Sequence, residues 1–261
     1  MNAWVLTGLG INAAVLLMAL IWVVCRRLNN AGYVDVAWAY GFALVTGLYV
    51  ALGAGAPLRK AIIATMAVMW SLRLGTHLLI RVTRHHPKED ERYAALREQF
   101  PKRVWLMFFG FFLLQAILVG LLSTPFAVAC ANKSPTLHAW EIAGAALWLL
   151  AFAGEALADH QLNVFRSNPA NKGKVCDAGL WRYSRHPNYF FEWIIWVAFF
   201  LFALGTPGGW ATFYSPLLML YFLTKVTGIP PAEAQSLKSR GDAYRDYQRR
   251  TSVFIPWKPK A

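Results

Sequence analysis

VWLMFFGFFLLQAILVGLLSTPFAVAC, residues 104–130, runs from Val104 to Cys130 without one charged side chain. At ~1.5 Å rise per residue a helix needs about 20 apolar residues to cross the hydrocarbon core, where only bonds within the helix satisfy the backbone. This stretch is long enough, and its reading sets the fold class: all-α, built of membrane-crossing helices. Six further blocks meet the test approximately, at 3–25, 33–53, 61–80, 138–160, 189–205 and 209–227. The last two meet across the turn Gly205-Thr-Pro-Gly-Gly209. The expected architecture is a polytopic bundle of about seven spans, one membrane-embedded domain over residues 1–261.

Composition agrees. The chain is 57% hydrophobic and 15% charged, far more apolar than a soluble domain of this length. A net charge of +13 would suit a nucleic-acid binder, but the basic residues lie in short loops between apolar blocks and form no continuous arm or stripe, which excludes nucleic acid as a partner. Membrane lipids are the expected surroundings. Of 26 Lys and Arg, all but Arg59, Lys60, Arg73 and Lys133 follow the first, third or fifth block or lie in the tail. Positive charge collects on the cytoplasmic side, which predicts an outward N-terminus and a cytoplasmic C-terminus. The first block, Trp4 to Cys25, has no basic residues before it and is read as a retained span. Cys25, Cys130 and Cys176 form no CxxC and read as free thiols, with no disulfide framework and no metal site. The polar tail from Pro230 predicts one short helix over 232–249.

Charges inside apolar blocks carry a penalty of roughly 2.5–3.5 kcal/mol each on insertion scales, so each needs a reason. Asp35 lies in Tyr33-Val-Asp-Val-Ala-Trp38, Arg73 in the third block, and Glu155 and Asp159 one helical turn apart in the fifth. Asn188 and Glu192 show the same spacing at the start of the sixth, so each pair shares a helix face. Two readings fit: structural ion pairs among Asp35, Arg73 and Glu155, or polar groups from different spans converging on a pocket open to the cytoplasm.

The stretch Ala178-Gly-Leu-Trp-Arg-Tyr-Ser-Arg-His-Pro-Asn-Tyr-Phe-Phe-Glu-Trp193 is the most informative. It resembles the C-terminal region shared by steroid 5-alpha-reductases, sterol reductases and isoprenylcysteine carboxyl methyltransferases, and most closely a bacterial 5-alpha-reductase-like branch grouped as DUF1295. The likeness covers roughly residues 150–257. It implies that Gly179, Leu180, Tyr183, Arg185, His186, Asn188 and Tyr189 contact a nicotinamide dinucleotide, with Glu192 at a further acidic position. Glu155, Asp159 and Arg166 resemble the reductase spacing upstream, and Arg73 and Arg84 resemble two more cofactor-contacting arginines. Glu233, Tyr244 and Tyr247, ahead of Val253-Phe-Ile-Pro256, are similar to the superfamily's closing pattern. Arginine forks suit the phosphates of a dinucleotide, since they bind bidentately and stay charged.

The resemblance implies an NADPH-dependent reductase of a hydrophobic enone that enters from the lipid, in a bacterial inner membrane with the cofactor site facing the cytoplasm. Hydride goes to the β carbon while an acid meets the carbonyl oxygen. Asp35 is the candidate acid. Relatives carry a Gln-Glu pair and a Tyr where this chain has Asp35 and Trp70, so Tyr33, Tyr40 or His77 completes the acid pair. Two rival classes remain open. An S-adenosylmethionine-dependent methyltransferase is suggested by the shared Arg185-His-Pro-Asn-Tyr189, and a non-enzymatic lipid-binding or transport protein would use the intramembrane charges as a path.

Overall fold

The structure, a computed structural model, describes residues 1–260 and is all-helical; no strand forms among the described residues. The helices are α1 (Ala3–Leu28), α2 (Tyr33–Leu52), α3 (Pro57–His85), α4 (Glu91–Gln99), α5 (Val104–Leu122), α6 (Thr124–Ala131), α7 (Ala139–Ser167), α8 (Pro187–Leu204), α9 (Tyr214–Tyr221), α10 (Ile229–Arg240) and α11 (Asp242–Arg250). Six segments are long and apolar enough to cross a membrane: α1, α2, α3, α5 with α6, α7 and α8. The protein is an integral membrane protein by that measure. The chain divides into two compact units, residues 1–139 with 202–212, and residues 140–201 with those from Phe213 onward.

The expected spans reappear with physical differences at their ends. α3 runs on to His85 and α7 to Ser167, past the apolar blocks, because no Gly or Pro stops them. The block 104–130 is broken at Ser123, two residues before Pro125. A proline lacks the N–H of a helix interior, so a new helix starts there. Ser123 Oγ donates to Gly120 O and meets Tyr49 Oη at 2.9 Å. The seventh expected span, 209–227, stays helical but changes pitch twice, with a tight turn over Gly209–Phe213, then α9, then a wide turn over Phe222–Val226. It is not among the six long apolar helices. The single tail helix expected over 232–249 is two helices, because Gly241 takes the left-handed conformation (φ 54°) and closes α10.

In the first unit, α2 packs along α3 and α1 lies against α5 and α2. With no hydrophobic driving force between helices in lipid, close approach and polar cross-links do the joining. Ser71 Oγ of α3 donates to Ala39 O of α2 at 2.6 Å and accepts from Ala43 N, and Trp22 Nε1 of α1 donates to Trp105 O of α5 at 2.8 Å. Gly10 admits the Tyr49 phenol, whose oxygen lies 2.0 Å from where a Cβ would stand. Cys25, Cys130 and Cys176 are buried and unbridged.

Two of the few basic residues outside the main clusters act as caps. Arg59, 1% exposed, donates through Nη1 to Asn132 O and Ser134 O and through Nη2 to Thr136 O. Lys60 Nζ donates to Val50 O and Gly53 O, carbonyls at and just beyond the end of α2. Helix ends and tight loops leave carbonyls without partners, and here two cations supply them. Arg59→Met leaves the carbonyls of Asn132, Ser134 and Thr136 short of a donor, the first of them on a buried residue, and is expected to destabilise the protein by about 3 kcal/mol. Arg59→Lys should recover part of that loss. Thermal unfolding in detergent checks both, and an unchanged midpoint for Arg59→Met would remove the capping role.

Candidate functional site

The second unit builds its polar site on α7. Glu155, Asp159 and Arg166 are four and seven residues apart, so they share one face of that helix. Glu155 is buried, Asp159 half-buried and Arg166 exposed at the last turn. The chain then leaves α7 and returns through residues 168–186. This return is pinned to α7 at three points: Asn171 Nδ2 donates to Phe165 O at 3.0 Å, Leu180 N to Gln161 Oε1 at 2.9 Å, and Trp181 Nε1 to Ala158 O at 2.9 Å. Gly179 makes the turn possible. Its φ is +59°, and a Cβ there would lie 2.6 Å from the Gln161 amide.

α8 begins at Pro187, a favoured first helical residue because its missing N–H has no helical partner to lose. Asn188 Nδ2 donates to Asp159 Oδ1 at 3.2 Å, which ties the start of α8 to α7. The other atom of that amide, Asn188 Oδ1, is buried and accepts no hydrogen bond among the described residues. The His186 ring lies parallel to Tyr189, 4° apart with centroids at 5.5 Å. Glu192 is buried one turn further on and accepts from Trp196 Nε1 at 3.0 Å. Leu180 and Tyr189 are half-buried and Tyr183 is exposed.

Glu233 of α10 gathers most of the remaining predicted residues. Its Oε1 accepts from Arg185 Nε (2.7 Å), His186 Nε2 (3.1 Å) and Tyr244 Oη (3.1 Å), and its Oε2 from Gln248 Nε2 and Arg185 Nη2. Arg185 Nη1 also donates to Gln248 O and Thr251 O, and its backbone N to Ser252 O. Tyr247 Oη donates to Trp181 O and Ser184 O. The structure thus brings Arg185, His186, Glu233, Tyr244 and Tyr247 together as one network in which they bind each other and hold α10, α11 and the tail against the entry to α8.

The electrostatics follow from the donors. Burial opposes ionisation of Glu233, but hydrogen bonds from His186, Arg185 and Gln248 outweigh it and lower the carboxyl to about 2. Burial, reinforced by the charge of Glu233, pushes Tyr244 up to about 12. Burial likewise holds the Tyr247 phenol well above the ordinary range. Both phenols therefore remain donors at neutral pH.

The first unit holds the predicted acid. Asp35, in the first turn of α2, accepts from Tyr93 Oη through Oδ1 and from Arg92 Nη2 through Oδ2, each at 2.7 Å, with Arg81 Nη2 at 3.6 Å. Both its oxygens are engaged as acceptors. A second carboxylate works beside it: Glu89 accepts from Ala31 N and from the Arg97 guanidinium, which lies over the Trp105 ring at 4.7 Å. The segment 86–103 is thereby fastened to the start of α2. Tyr33 is half-buried with its ring tilted against His86. Arg73, His77 and Arg84 follow one face of α3, four and eleven residues apart; Arg73 is half-buried, His77 and Arg84 exposed.

Tyr93 is the residue that sequence reasoning misses. It lies in a polar stretch with no apolar period to mark it, yet is 3% exposed against Phe108 and Phe111. Burial, and then the Asp35 charge, push its phenol far above the ordinary value.

The network at Glu233 generates a prediction with a defined sign. A carboxyl lowered on folding adds stability that is full above its ordinary value of 4.5 and is lost as pH falls through about 2. In Glu233→Gln, the wild-type fall in melting temperature between those pH values should flatten, and stability at neutral pH should drop by about 2–3 kcal/mol. Melting curves of the detergent-solubilised protein across that range check it. Parallel wild-type and variant profiles would show that the network does not carry this linkage.

Comparison with known proteins locates the chain. An uncharacterised protein of Schizosaccharomyces pombe is 28% identical over 277 aligned residues, covering 95% of this chain and 78% of the relative. No solved structure matches. The family described as a protein of unknown function, DUF1295, matches residues 21–251. That match runs from within α1 to the end of α11, and the chain belongs to the DUF1295 family.

Proposed function

We propose that the protein is an NADPH-dependent membrane reductase that saturates the C=C bond of a hydrophobic enone, steroid-like or another isoprenoid lipid, taken up from the bilayer. The observation that carries this reading is the Asn188–Asp159 pair. Asp159 fixes the amide through Nδ2, and the buried Oδ1 remains an acceptor without a donor. A buried carbonyl oxygen left unpaired carries a penalty of about 1–3 kcal/mol, which a ligand N–H or O–H would remove. A carboxamide or a ribose hydroxyl of a dinucleotide supplies such a donor, and the exposed Arg166 on the same face of α7 as Asp159 offers a guanidinium for a phosphate. The likeness of Gly179, Leu180 and the Arg185–Tyr189 segment to the reductases supports the same ligand. The distribution of Lys and Arg supports a cytoplasmic C-terminus, on the side where NADPH is available.

NADPH, when bound, supplies the hydride for the β carbon. The chain supplies position and the proton. Asp159, Asn188 and Arg166 hold the cofactor, while the Glu233 network keeps the entry to α8 in place. The proton for the developing enolate oxygen is the part that the resemblance assigns to Asp35, with Tyr33, Tyr40 or His77.

Thermal-shift titration with NADPH, NADH and S-adenosylmethionine tests the reading. At a hundredfold excess over the dissociation constant, NADPH should stabilise the wild type by about 2.7 kcal/mol. Asn188→Leu should weaken that binding at least tenfold with the ligand-free melting point retained. Selective stabilisation by S-adenosylmethionine would instead establish a methyltransferase, and stabilisation by none of the three a lipid-binding or transport protein.

A further inference from the structure

The last ten described residues take no part in the proposed reaction, yet they are bound firmly to the start of a membrane-crossing helix. Ser184 Oγ donates to Phe254 O at 2.8 Å, Arg185 N to Ser252 O at 2.8 Å, and Trp257 N to Tyr183 O at 2.9 Å. The tail therefore lies beside the residues that lead directly into α8 at Pro187. Phe254, 7% exposed, packs on Phe190 and Trp193 in the first two turns of α8, each with centroids at 5.8 Å. A segment attached there sits at the depth where a span enters the hydrocarbon, the interfacial zone.

At that depth the tail alternates. Phe254 points inward, and its neighbours Val253 and Ile255 are 42% and 58% exposed, with Trp257 at 73%. Val253, Ile255 and Trp257 thus leave an exposed apolar strip along the tail. Next to them an open cavity of about 460 Å³ is lined by Arg182, Arg250 and Lys260, with Asp177, Thr251 and Pro259. Arg250 is 3.6 Å from Asp177; Arg182 and Lys260 have no carboxylate within ion-pairing distance among the described residues. Among the described residues lining the cavity, three cations face one carboxylate. A cationic site beside an apolar strip, at interfacial depth, matches the two ends of one amphipathic anion.

We infer that Arg182, Arg250 and Lys260, with the outward side of Val253–Trp257, form a seat for an anionic phospholipid of the leaflet at which α8 begins. The phosphate occupies the cationic cavity and the upper acyl chain lies along Val253, Ile255 and Trp257. The tail thereby senses membrane charge independently of any reaction at Asn188. The apolar strip separates a lipid from a free anion, since inorganic phosphate has nothing to place against Ile255 or Trp257.

Native mass spectrometry of the full chain, exchanged from phosphatidylglycerol into mild detergent, tests this. The wild type should retain one phosphatidylglycerol in preference to phosphatidylcholine. Each charge removed should lower occupancy about fivefold, and Arg182→Gln, Arg250→Gln and Lys260→Gln together on the order of a hundredfold. Should the triple variant not fold, Trp257→Ser, at a largely exposed position, should on its own lower retention with the melting point unchanged. Retention equal to wild type in these variants, no preference for phosphatidylglycerol, or displacement of the lipid by equimolar inorganic phosphate would each overturn the proposal.

Discussion

A carboxylate placed at the edge of a bilayer must gather its own donors, and three carboxylates of this chain organise the segments that are not themselves spans. Asp35 and Glu89 fasten residues 86–103 to the start of α2. Glu233 fastens α10, α11 and the tail to the entry of α8. The apolar helices would form without these contacts, since burial in lipid dictates them. Where the polar segments lie would be undetermined. Each carboxylate receives at least one guanidinium and at least one neutral donor, which satisfies several lone pairs at once and avoids leaving a buried charge with a single partner.

The balance of forces at Glu233 shows why such a site is both firm and local. Desolvation alone would favour the neutral acid, yet the carboxyl is held at about 2 because five hydrogen bonds converge on two oxygens. Arg185 is suited to this because its planar fork reaches Glu233 with one edge and the carbonyls of Gln248 and Thr251 with another. A lysine at that position would present a point charge and could not span both.

The spans were the most legible feature, because a run such as 104–130 has no alternative in water. The Ser123 break within it was marked by Pro125, and the α10–α11 break by Gly241, both of which the hydropathy pattern obscures. The pitch changes across 209–226 have no sequence marker beyond Gly208 and Gly209 at their start. Among the candidate site residues, Asp159 and Asn188 were readable as two four-residue spacings, and they meet. The partners of Arg185, His186 and Glu233 were not readable, since residue type alone does not say whether a guanidinium faces a ligand or a carboxylate 48 positions away. Tyr93 was hidden for the opposite reason, being an aromatic among charges whose burial depends on Phe108 and Phe111 of a later helix.

The contacts of Arg185 also impose an order on assembly. Its partners Glu233, Gln248 and Thr251 follow it by 48, 63 and 66 residues, so they do not exist when the segment entering α8 leaves the ribosome. Synthesis proceeds at roughly 5–20 residues per second, which leaves that guanidinium hydrated for several seconds at the membrane surface. The entry to α8 then reaches its final form only after residues 233–251 have been made. A chain cut before Glu233 would insert its earlier helices and leave the Arg185 guanidinium without these partners.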